Sequence, residues 1–121
     1  MASILIIDDD AQILKMLRQI LERESYDVTG ASNGKQGLRL YRENPTDLVI
    51  TDIIMPEKEG IEIIIELKRD YPDVKIIAIS GGGRINPEDY LDIAKKLGAH
   101  RIFAKPVERK ELLNAVRELL G

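Results

Sequence analysis

The chain has no cysteine, which removes disulfide frameworks, thiol nucleophiles and thiolate metal sites. That fits a reducing cytoplasm, the compartment we expect. It has no tryptophan and one phenylalanine, Phe103, beside four tyrosines, which speaks against a flavin sandwich. Its one histidine, His100, follows Gly98-Ala99 in a turn and has no ligand partner nearby in sequence, so it reads as a surface residue. Neither sign of charge dominates: 18 Lys and Arg stand against 21 Asp and Glu, a net charge of -3. A basic footprint for nucleic acid or an anionic membrane is therefore missing. The apolar run Ile4 to Ile7 is too short for a signal-peptide core or a membrane span. The length of 121 residues suits one domain, expected over 1–121.

What remains is an alternation of short apolar runs with helix-period segments. Ser3 to Ile7 is apolar without alternation, as expected of a strand covered on both faces. Asp10 caps a helix whose Ile13, Leu17, Ile20 and Leu21 share a face. A second strand is expected around Asp27 to Ala31, then a helix after Ser32-Asn33 running to about Arg42 and ended by Asn44-Pro45. Leu48 to Thr51 reads as the third strand. A loop from Asp52 through Pro56 and Gly60 leads to a helix carrying Ile61, Ile64, Ile65 and Lys68. Val74 to Ile79 reads as the fourth strand. A glycine loop, Ser80 to Arg84, precedes a helix opened by Asn86-Pro87-Glu88 and closed by Gly98. Arg101 to Ala104 is a short fifth strand, followed by Lys105-Pro106 and a helix through Leu112, Leu113, Val116 and Leu120. Five βα units in series imply a parallel sheet with helices on both faces.

Open α/β sheets bind ligands at the carboxyl ends of their strands. Asp8, Asp9 and Asp10 follow the first strand, Asp52 the third, Ser80 the fourth and Lys105 the fifth. Two carboxylates about 4 Å apart repel by about 4 kcal/mol at an effective dielectric near 20, so such a cluster needs a cation. Hard oxygen ligands suit Mg²⁺, which keeps waters and shares its shell with phosphate. A carboxylate beside Mg²⁺ and a lysine has the surroundings of a nucleophile toward phosphorus. The run Gly81-Gly82-Gly83 lacks the lysine and hydroxyl of a P-loop, and reads as a loop only.

These residues carry a resemblance. Leu5-Ile6-Ile7-Asp8-Asp9-Asp10, Asp47 through Asp52 to Met55-Pro56, Ser80, and Lys105-Pro106 resemble the signature of response-regulator receiver domains in two-component systems. The resemblance implies a (βα)5 flavodoxin-like, doubly wound α/β fold with strand order 2-1-3-4-5. It implies Asp52 as phosphoacceptor, with Lys105 and Ser80 contacting the phosphoryl group. It implies an Mg²⁺ site (Mn²⁺ serving as well) made by Asp8, Asp9, Asp52 and the backbone carbonyl of Ile54, with Asp9 the direct ligand and Asp8 acting through water. The Lys105-Pro106 bond is cis in the family. The donor would be a sensor histidine kinase or a histidine phosphotransfer protein, and the output a partner protein or a further domain. Such a domain would catalyse only its own phosphorylation and dephosphorylation.

Two departures stand out. Ile102 occupies a position where many members carry an aromatic switch residue, and the adjacent Phe103 should face the other way. The stretch from Ser80 to Gly98 is longer than usual, which suggests a switch working through the glycine loop. Three other readings compete. Asp8 and Asp10 match the Asp-x-Asp start of haloacid-dehalogenase-like phosphatases, as nucleophile and general acid, but the later acidic pair of those enzymes is missing. A flavodoxin-like cofactor carrier would want aromatic residues to sandwich a flavin, and the chain has no tryptophan and only Phe103 among phenylalanines. A pseudo-receiver that only binds partners is at odds with the intact Asp9, Asp52, Ser80 and Lys105.

Overall fold

The computed structural model describes residues 2–53, 60–80 and 87–121. Its strands are β1 (Ser3–Ile7), β2 (Asp27–Ala31), β3 (Leu48–Asp52), β4 (Ile76–Ser80) and β5 (Arg101–Ala104). Its helices are α1 (Ala11–Arg23), α2 (Gly34–Glu43), α3 (Gly60–Asp70), α4 (Pro87–Lys96) and α5 (Arg109–Leu120). All strand pairs are parallel, in the order β2-β1-β3-β4-β5, as the resemblance implied.

Handedness then sorts the helices. The chain steps from β1 outward to β2, then returns past β1 to β3 and continues to β4 and β5. Right-handed crossovers in opposite directions put their helices on opposite faces. Accordingly Leu17 and Leu21 of α1 pack on Ile4, Ile6, Ile50 and Ile77, and Leu112 and Val116 of α5 join them. Leu38 of α2, Ile63, Ile64 and Leu67 of α3 and Ala94 of α4 cover Leu5, Ile7, Val49 and Ala78 on the other face. The central strands β1, β3 and β4 are almost wholly buried, which explains why they read as unbroken apolar runs. Of the edge strands, β2 exposes Asp27 and Thr29 on alternate positions, while β5 exposes its two ends and half-buries Ile102 and Phe103. Ile102 and Phe103 pack against opposite cores, as their alternation required.

Caps set the helix starts. Asp10 Oδ1 accepts from the N–H groups of Gln12 and Ile13 at 2.9 and 3.3 Å, and Asn33 accepts from Gln36 N–H at 2.8 Å. Gln36 reaches back to Ser32 N–H at 2.9 Å, a reciprocal cap shifted one residue outward. Gly98, at φ +110°, ends the α4 connection in a conformation that side-chain-bearing residues rarely adopt. β4 begins two residues later than the apolar run suggests, at Ile76. The Ile54 carbonyl, Pro56, the Gly81-Gly82-Gly83 loop and the Asn86 cap lie outside the described residues. Among the described residues no helix is long and apolar enough to cross a membrane.

Candidate functional site

Because the chain leaves β1 in one direction and returns to β3 on the other side, the carboxyl ends of β1 and β3 form the reversal point where such sheets hold ligands. The register does the rest. Ile7 pairs with Thr51, so Asp8 and Asp52 emerge side by side. Asp52 pairs with Ile79 and Ser80 with Ala104, so Ser80 and Lys105 follow at the next strand ends. Lys105 N–H donates to the Ser80 carbonyl at 2.8 Å, tying the two ends together. The Lys105-Pro106 bond is cis.

Four residues that the sequence scattered over almost a hundred positions thus converge. Carboxylate oxygens of Asp8, Asp9 and Asp52 lie within 4.8 Å of one another. Asp8 and Asp52 are buried, Asp9 is exposed. Lys105 Nζ donates to Asp52 Oδ2 at 2.9 Å and stands 3.1 Å from Asp8 Oδ2. The second contact is an ion pair whose angles fall short of a hydrogen bond, since Asp8 Oδ2 has no hydrogen-bond partner among the described residues. Asp8 Oδ1 accepts from Asp10 N–H at 2.8 Å. The ammonium therefore supplies part of the positive charge that two neighbouring carboxylates require. The Asp8–Lys105 contact went unread in the sequence, where Lys105 was matched to the phosphoryl group alone.

The electrostatics follow this packing. Burial is the main cause pushing the Asp8 carboxyl above its ordinary value, with neighbouring Asp52 adding to it; the Asp10 N–H and Lys105 oppose the rise. For Lys105, burial works against the charge most strongly, but the hydrogen bond and charge of Asp52, joined by Asp8, hold the ammonium above its usual range. Ser80 is completely buried, and its hydroxyl has no partner among the described residues. An unsatisfied buried hydroxyl costs about 1–3 kcal/mol.

Asp10 turns away from this cluster to cap α1, which removes the general acid that a dehalogenase-like phosphatase would need. His100 is exposed, as expected. Its Nδ1 also accepts from Ile76 N–H at 3.3 Å, a strand-end bond the sequence did not announce.

Residues 4–117 match the family model described as response regulator receiver domain. The chain is 33% identical over 117 residues to sporulation initiation phosphotransferase F of Bacillus subtilis, covering 97% of this chain and 92% of that one. A response regulator receiver domain protein from Clostridium thermocellum superposes with a TM-score of 0.91 at 35% identity, covering 99% of this chain and 94% of that one. The Thermotoga maritima response regulator TrrA, solved in complex with Mg²⁺-BeF, gives a TM-score of 0.88 at 31% identity, covering 99% and 100%. The chain belongs to the response-regulator receiver family and is a phosphoacceptor domain of a two-component system. It spans 26% of the length of some relatives, such as the transcriptional regulatory protein GlrR of Escherichia coli, which is 33% identical over 119 residues, 98% of this chain.

Proposed function

We propose that Asp52 is the residue that takes the phosphoryl group. The observation that carries this reading is its carboxylate, buried at the end of a central strand yet bonded to Lys105 at 2.9 Å. A carboxylate oxygen attacks phosphorus on a donor phosphohistidine. The P–N bond breaks, the imidazole nitrogen keeps the electron pair, and an acyl phosphate forms at Asp52. Later attack of water on phosphorus returns the free carboxylate and releases inorganic phosphate. The domain catalyses both steps on itself and turns over no external substrate. Lys105 neutralises one phosphoryl oxygen and the Ser80 hydroxyl, without a partner among the described residues, donates to another.

The residues fit a divalent cation. Three carboxylates offer hard oxygen atoms within 4.8 Å, and Asp8 Oδ2, buried beside the Lys105 ammonium, has no hydrogen bond among the described residues. Asp9 and Asp52 would hold Mg²⁺ or Mn²⁺ directly and Asp8 through water, with the Ile54 carbonyl completing the set. Bound there, the ion neutralises charge on the transferring phosphoryl group. The Mg²⁺-BeF bound in the TrrA complex supports the choice of metal. The kinase or phosphotransfer donor and any output partner are those of the family, and nucleic acid is not among the ligands proposed for this domain.

The test is incubation with acetyl phosphate followed by intact-mass measurement. One phosphoryl group per chain with Mg²⁺ present, and none after chelation, is expected. Equal labelling with and without Mg²⁺ would overturn the metal assignment.

A further inference from the structure

The peptide bond that follows Asp52 is held on three sides. Ile53 N–H donates to the Ile79 carbonyl at 2.9 Å, fixing it to β4. The Thr51 hydroxyl donates to the Asp52 carbonyl at 3.0 Å. Gly60, the first residue of α3, closes from the third side, its N–H donating to the Ile53 carbonyl at 3.2 Å. A Cβ at Gly60 would stand 2.0 Å from the Asp52 carbonyl oxygen, 2.4 Å from Ile53 Cα and 2.7 Å from the Asp52 carbonyl carbon. Those atoms are backbone, so no side-chain rotation relieves the clash. Gly60 does not have a positive φ. Glycine is therefore demanded by close approach alone.

Thr51 makes the same point from the opposite direction. Its side chain is wholly buried in a strand whose neighbours are Val49 and Ile50. Valine has the same shape and would bury no hydroxyl, and a buried hydroxyl costs free energy unless bonded. The bond it makes goes to the carbonyl of Asp52.

We propose that Thr51 and Gly60 are positioning residues for phosphoryl transfer. Together they fix the Asp52–Ile53 peptide, and through it the direction in which the Asp52 carboxylate leaves the backbone toward Lys105. The inference rests on Asp52 being the acceptor. Neither residue touches the reacting atoms. Displacement of the held peptide would carry the Asp52 Cα with it and move the carboxylate off its bond to Lys105, and misplacement by about 1 Å can slow a positioned reaction by about a hundredfold.

The experiment compares Thr51→Val, Thr51→Ser and Gly60→Ala with the wild type. It measures the pseudo-first-order rate of phosphorylation by acetyl phosphate at saturating Mg²⁺, beside the urea midpoint of each variant. The expected result is a rate about tenfold lower in Thr51→Val, recovery to within about twofold in Thr51→Ser, and a loss in Gly60→Ala at least as large as in Thr51→Val. A folded Thr51→Val that phosphorylates at the wild-type rate overturns the proposal, as does Thr51→Ser failing as badly as Thr51→Val. If Gly60→Ala does not fold, the Thr51 pair decides. The label is first located in the wild type. A label elsewhere than Asp52 sinks both the acceptor reading and this inference, whereas a label on Asp52 with an unslowed Thr51→Val sinks this inference alone.

Discussion

Asp8 is the residue on which the site's competing demands fall most heavily. It is buried beside Asp52 and held by one ammonium and one backbone N–H. Its folded pKa is raised above the ordinary 3.8. A carboxyl whose folded pKa is raised contributes stability that is complete below the unfolded value and is lost as pH rises through the folded one. At neutral pH its ionised form therefore opposes folding. Asp8→Asn, in metal-free buffer at pH 7, is expected to raise stability by about 1 kcal/mol, the usual size of gain when a functional site is relaxed. The gain should shrink toward pH 3, where Asp8 is already neutral. Urea unfolding at both pH values checks this, and a loss at pH 7 would mean that the Lys105 ion pair outweighs burial and repulsion.

At the scale of the element, the first turn of α1 and the start of β4 make separate predictions. Asp10 caps α1 through two backbone N–H groups, and replacing such a cap by alanine costs about 1 kcal/mol. Asp10→Ala should lose that much in urea unfolding while keeping its acetyl phosphate labelling. Loss of labelling in a folded Asp10→Ala would return Asp10 to the chemistry. At the other end of the sheet, the neutral His100 ring holds the first N–H of β4. Burial first, then the charges of Lys68, Arg101 and Lys75, push His100 below its ordinary 6.5. The unfolded chain then takes up the proton first, so stability should fall as pH drops through 6.5 and level off below the folded value. His100→Asn keeps an acceptor but does not titrate, and its urea midpoints between pH 7.5 and 5 should fall less steeply. An unchanged slope would place the pH dependence on another group.

Across the whole molecule, what was legible in the sequence was what depends on pattern. Unbroken apolar runs announced β1, β3 and β4 because both their faces are covered, and Asp10 and Asn33 announced their helices because a cap is a local bond. The convergence of Asp8, Asp52, Ser80 and Lys105 followed once each was read as the residue ending a strand. The strand order itself came from family resemblance; a βα alternation alone does not say which strands are neighbours. Contacts between distant elements left no such trace. The second partner of Lys105, the bond from Ile76 N–H to His100, and the seat of Gly60 on the Asp52 carbonyl each depend on where two backbones meet. Thr51 looked like one more β-branched strand residue; its hydroxyl, at the position before a strand-end carboxylate, was the only available hint.

Everything proposed for the site depends on which carboxylate carries the phosphoryl group, because Asp8, Asp9 and Asp52 present oxygens within 4.8 Å of one another. Borohydride reduction of the acetyl phosphate-labelled protein converts an aspartyl phosphate to homoserine, and peptide mass mapping then reads its position. Homoserine at position 52, and no label in Asp52→Asn, is the predicted result. Homoserine at position 8 or 9, or full labelling of Asp52→Asn, would contradict it.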